Sequence, residues 1–85
     1  MLKLGQVLKG DKMKGYLKHN SHGRYEINDI DRSIYFTCGE VLELFSDNQW
    51  TIGRMEYSQD KEDYYFITND GEYIFDLTGK MARNI

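Results

Sequence analysis

Between residues 13 and 85 no stretch sustains a 3.6-residue apolar repeat over three turns, while turn-forming residues recur at short, regular intervals. His19-Asn20-Ser21-His22-Gly23 separates Met13–Lys18 from Arg24–Asn28, and Ser46-Asp47-Asn48 separates Val41–Phe45 from Trp50–Tyr57. Ser58–Glu62 precedes Asp63–Thr68, and Leu77-Thr78-Gly79 turns the chain into a last short strand near Lys80–Arg83. Asn69-Asp70-Gly71 is the strongest hairpin signal, because these residue types tolerate positive φ. Segments rich in Tyr, Phe and Ile between such turns predict an all-β chain of five to seven antiparallel strands in a meander, closed or nearly closed into a small barrel. Leu4, Val7 and Leu8 suit one helical turn or an extended piece.

Alternation assigns faces within the central pair. Leu42 and Leu44 share one face of their strand, opposite Val41, Glu43 and Phe45. In the next strand Trp50, Ile52, Arg54 and Glu56 oppose Thr51, Gly53, Met55 and Tyr57, so apolar and polar residues occupy both faces. A β-bulge at Gly53 is the expected resolution, since it turns Ile52 and Met55 inward together.

Eighty-five residues make one domain, and the chain has no apolar run near the roughly 20 residues that span a bilayer. The start lacks the continuous apolar block of a signal peptide, and the single Cys38 excludes an internal disulfide, which together imply a cytoplasmic protein. Net charge is -3 but uneven: residues 1–24 carry +5 and residues 25–85 carry -8. We therefore divide the chain into a basic leading segment, 1–12, and a barrel domain, 13–85. The basic segment offers one route to an anionic partner such as nucleic acid, against the repulsion of an acidic body.

The strand pair resembles a bacterial SH3-like barrel, in which Gly-Glu (Gly39-Glu40) follows a diverging turn and leads to an apolar strand, a short turn and a Trp-initiated strand. The whole chain also resembles a small bacterial family known only as a domain of unknown function. The matching stretches are Gly23-Arg24-Tyr25-Glu26-Ile27, Thr37 through Leu44, Trp50 through Glu56, Tyr64-Tyr65-Phe66, and Gly79 with Ala82-Arg83. The resemblance implies the fold and brings no activity with it. Proline-peptide-binding SH3 domains are a poorer match, for the chain has no double Trp and no proline.

Groupings that carry chemistry are sparse. His19, His22 and Cys38 lack the second ligand pair of a structural zinc site, so no metal and no cofactor are expected. Cys38 has no evident base, and Thr78-Gly79-Lys80 lacks the flanking residues of a phosphate loop, so no catalytic residue is assigned and no enzyme is expected. Glu40, Glu43 and Glu56 read as solvated strand charges, and Arg54 as the cross-strand or same-face partner of a glutamate. Aromatic residues, at 14% of the chain, exceed what so small an interior holds, and the surplus is the material of a binding surface. We expect a non-catalytic binding module with its surface near Trp50 and Tyr25, assisted by Tyr16, Arg24 and Arg54. Its expected partner is another protein; nucleic acid is the alternative, and the chain itself is a monomer or homodimer without membrane contact.

Overall fold

The computed structural model describes residues 12–85, which are all-β. The basic leading segment lies outside the described residues except for Lys12. Nine strands follow in order: β1 (Lys14–Tyr16), β2 (Lys18–His19), β3 (Tyr25–Asn28), β4 (Ser33–Phe36), β5 (Val41–Ser46), β6 (Gln49–Ser58), β7 (Asp63–Thr68), β8 (Tyr73–Ile74) and β9 (Met81–Asn84). They form a six-stranded antiparallel sheet in the order β1-β9-β5-β6-β7-β8 and a three-stranded sheet in the order β2-β3-β4.

This corrects the expected meander of five to seven strands in two respects. β2 to β4 and β5 to β8 run as separate meanders, but β9 crosses back and inserts between β1 and β5, with Ala82 facing Gly15 on one side and Leu44 on the other. The run Met13–Lys18 is also divided between the sheets at Leu17. The Leu17 N–H donates to the Lys80 carbonyl at 2.8 Å and its carbonyl accepts from the Gly79 N–H at 2.9 Å. One extended run thus serves both sheets and turns a corner at a buried leucine.

The turns follow their residue types. Asp47 and Asn48, at φ 53 and φ 64, form a two-residue connection between the paired Ser46 and Gln49, the left-handed conformation that hairpins of this length require. Between β7 and β8, Gly71 at φ 90 donates to the Thr68 carbonyl and the Thr68 N–H donates to the Glu72 carbonyl, both at 2.9 Å. The β3–β4 turn is clamped by Asp29, whose carboxylate accepts from the Arg32 backbone N–H at 3.1 Å and from its Nη2 at 2.6 Å. Hydrogen bonding to that guanidinium holds the Asp29 carboxyl below its ordinary range.

Alternate residues fill the interior. Leu42 and Leu44 from β5, Met55 from β6, Phe66 from β7, Tyr25 and Ile27 from β3, and Phe36 from β4 are all buried, with Met13, Leu17, Leu77 and Ala82 completing the core. Each large apolar side chain buried in this way contributes roughly 1.5–3 kcal/mol before the chain's lost entropy is counted.

The expected bulge at Gly53 is absent. The β5–β6 and β6–β7 registers run without interruption through it, so Ile52 points outward and is 39% exposed while Met55 is buried. The space over Gly53 is taken by the Phe66 ring: a Cβ built there would stand 2.6 Å from Phe66 Cζ and closer still to the Ile67 carbonyl oxygen. Glycine is needed here for close approach of β7, not for a kink. Gly53→Ala should therefore destabilise the fold by about 1–3 kcal/mol through overpacking. Urea unfolding of the two proteins measures this, and an unchanged midpoint would contradict the contact.

Candidate functional site

A two-layer antiparallel sheet with one face in water ordinarily alternates apolar-in with polar-out. Here the inner positions are apolar, but so are many outer ones. On the six-stranded sheet the outward residues include Tyr16 (β1), Val41 and Phe45 (β5), Ile52 (β6) and Tyr73 (β8), each more than a third exposed. Half-buried Trp50 and Ile67 lie among them, because Phe45 faces Trp50 across β5–β6 and Ile67 faces Tyr73 across β7–β8. The result is an outer face centred on β5 and β6 in which exposed apolar side chains alternate with Glu43, Arg54, Glu56 and Arg83.

Two aromatic clusters stand on this face. In the first, Phe45 meets Trp50 edge-on with centroids 5.3 Å apart. The Arg83 guanidinium carbon lies 4.0 Å from the Trp50 ring centroid, and Arg83 Nε donates to Glu43 Oε1 at 2.8 Å. The second cluster is built from Tyr65, Tyr73 and Phe75, with Tyr65 stacked on Phe75 at 5.0 Å and 5.2 Å from Tyr73. Lys61 Nζ stands 5.5 Å above the Phe75 ring. Between the clusters Arg54 Nε donates to Glu56 Oε2 at 2.7 Å along the same strand face, the pairing that its sequence suggested. Both glutamates of the face are thus held by arginines. No ion pair among the described residues includes Lys14 or Lys61.

Beside the first cluster, Lys12, Met13, Lys14, Glu43, Arg83 and Asn84 line an open groove of about 420 Å³. Lys14 faces Arg83 across β1–β9, and the Met13 N–H donates to Asn84 Oδ1 at 2.6 Å.

Of the residues singled out in the sequence, Trp50, Tyr16 and Arg54 come together on this face. Tyr25 does not: it is 1% exposed and belongs to the core. The alternation of β3 turns Tyr25 and Ile27 inward, and burial is permitted because the phenol is satisfied, donating to Asp63 Oδ2 and accepting from the Leu77 N–H, both at 3.3 Å. Arg24 immediately precedes β3 of the other sheet, and its guanidinium carbon lies 5.5 Å from the Tyr35 ring centroid. Its Nε is buried and has no hydrogen-bond partner among the described residues. His19 stacks on Tyr25 at 4.1 Å and its Nε2 lies 2.8 Å from Asp63 Oδ1, whereas His22 is in the turn before β3. Cys38 is free and exposed, and among the described residues no group of three or more His, Cys, Asp or Glu is placed to hold a metal ion. No helix among them is long and apolar enough to cross a membrane.

Sequence reasoning did not single out Val41, Ile52 or Lys61 as part of a surface. The signal was present for β5, whose outward positions Val41 and Phe45 are apolar. It was concealed for Ile52 by the expected bulge.

Residues 15–84 match the family model described as domain of unknown function (DUF5348). Comparison with curated proteins and with solved structures gave no significant match.

The buried phenol carries a test of its own. Burial raises the Tyr25 pKa above its ordinary value near 10, so the folded state keeps this proton longer than the unfolded chain does. Its contribution is complete below about pH 10 and is lost as pH rises through the raised value. Tyr25→Phe should lower stability near neutral pH by about 1–3 kcal/mol, through two lost hydrogen bonds and an unpaired Leu77 N–H. It should also flatten the alkaline decline, which urea midpoints measured from pH 8 to about pH 11 would show.

Proposed function

The chain belongs to the DUF5348 family, whose description names no activity, and we propose that it is a non-catalytic binding module acting through the outer face of its six-stranded sheet. One observation carries this reading: Val41, Phe45, Ile52 and Tyr73, on β5, β6 and β8 of one sheet, point away from the core and remain exposed. Exposed apolar side chains interspersed with paired charges in this way are the chemistry of a protein interface. Rigid aromatic anchors at both ends of the patch add area at little entropic cost.

The two sheets are read as one SH3-like barrel of bacterial type. Support comes from the corner at Leu17, where one strand run passes between sheets, and from the Asp63 contacts of His19 and Tyr25, which bring the small sheet back to β7. A cytoplasmic setting belongs to the same reading and rests on the lone free thiol of Cys38.

Ile52→Lys and Val41→Lys place charges at the centre of the patch without touching the core. Both variants should keep the fold to within about 0.5 kcal/mol. They should lose proteins that the unaltered chain captures from a lysate of its source, compared by quantitative mass spectrometry. Identical capture by all three proteins would overturn the assignment of this face.

Nucleic acid is the second reading, favoured by Lys12, Lys14 and Arg83 around a groove beside Trp50. Titration with single- and double-stranded oligonucleotides at low salt tests it, because the phosphate contribution is strongest there. Binding that weakens steeply with salt would make nucleic acid the occupant, and no binding would remove this reading.

A further inference from the structure

The outer face of the six-stranded sheet begins where the leading segment ends. Met13 is buried and its carbonyl accepts from the Asn84 N–H at 3.3 Å, which leaves Lys12 as the outward residue at the start of the β1 edge. Lys14, Arg83, Glu43 and Ile52 form one outward row across β1, β9, β5 and β6. Leu42 faces Asn84, so Val41 lies level with Lys12 two strands away. Neighbouring strands about 4.8 Å apart put Val41 roughly 10 Å and Ile52 roughly 16 Å from Lys12.

The eleven residues ahead of Lys12, which lie outside the described residues, include Leu2, Leu4, Val7 and Leu8. At no more than about 3.5 Å per residue, Leu8 reaches about 14 Å from Lys12 and Leu4 about 28 Å. Val41 is therefore within range of Leu8, and Ile52 within range of Leu4. So short a tether holds the segment near the face at roughly millimolar effective concentration, where contacts too weak to retain a free peptide suffice. Charge leaves the occupant open, since Glu43 and Glu56 are paired with arginines and exposed Lys61 stands between exposed Asp60 and Glu62. Reach and apolar content decide it.

Resting on the binding-module reading above, we propose that the leading segment of the same chain is a built-in occupant of this face. Leu4, Val7 and Leu8 cover Val41 and Ile52, and an outside partner has to displace them.

Paramagnetic line broadening in the full 85-residue chain tests this. Gln6→Cys carries a nitroxide, and Cys38→Ser removes the only native thiol. Backbone amide signals are compared with the nitroxide active and chemically reduced. Val41 and Ile52 should lose most of their intensity, while Tyr35, facing out from the other sheet, should keep its own. A tether that merely samples its surroundings also broadens near neighbours. The deciding comparison therefore adds Leu4→Asp, Val7→Asp and Leu8→Asp to the labelled chain, which should restore most of the lost intensity at Val41 and Ile52. Ile52→Lys in the otherwise unaltered labelled chain should restore Val41 in the same way, with circular dichroism reporting an intact fold.

Unbroadened Val41 and Ile52, or broadening that the three aspartates leave unchanged, would overturn the proposal. So would broadening seen only when nitroxide-bearing chains are mixed with isotope-labelled chains lacking the nitroxide, which would assign the face to another copy. If the segment fails these tests while capture from lysate still depends on Ile52, the module reading stands and the built-in occupant alone falls. If the segment docks while Ile52→Lys and Val41→Lys leave capture unchanged, the occupant stands and the module reading falls.

Discussion

The join between the two sheets depends on one buried phenol. Tyr25 projects inward from β3, donates to a carboxylate on β7 and accepts a backbone N–H from Leu77. Asp63 in turn receives the Tyr64 N–H at 2.8 Å and lies 2.8 Å from His19, whose ring stacks on Tyr25. Three elements far apart in sequence thus meet around one hydroxyl and one carboxylate. Without those partners, a polar atom at this depth would cost more than its ring gains by packing.

A fixed interior determines the exterior. Once Leu42, Leu44, Met55 and Phe66 are committed inward, the period of two leaves Val41, Phe45, Ile52 and Ile67 no choice but to face out. A one-residue slip of β6 would exchange Met55 for Ile52 and rescue one apolar residue. It would also put Arg54 into the core and lose the glycine on which the Phe66 ring rests. The exposed face is therefore maintained by the packing behind it.

How much of this could be read in the sequence depended on how local the cause was. The β5–β6 hairpin was legible because strand-forming residues flank Asp47-Asn48, which suits a two-residue turn. The β7 segment was legible for similar reasons, down to its limits at Asp63 and Thr68. Non-local causes were hidden. Nothing near Gly53 in sequence announces that an aromatic ring thirteen residues later will lie across it. Tyr25 carried the marks of a surface aromatic because its partners, Asp63 and Leu77, are 38 and 52 residues away. The candidate surface divided along the same line: Trp50, Tyr16 and Arg54 were found as residue types, while the face uniting them with Ile52 and Tyr73 appears only with the strand order.

The placement of β9 has a consequence for how the chain reaches this state. The latest of these strands to be synthesised, β9, is the one that sits between β1 and β5. Until Met81–Asn84 has emerged, β1 has no neighbour in its sheet and β5 presents a bare edge, close to the same Val41 and Phe45 side chains. Nascent chains of this length therefore combine an open strand edge with uncovered apolar surface, the two hazards most associated with mispairing during synthesis. Folding becomes a late event that requires β1 and β9, far apart in sequence, to find each other. A pairing of such high sequence separation belongs to the slow end of the range for small domains.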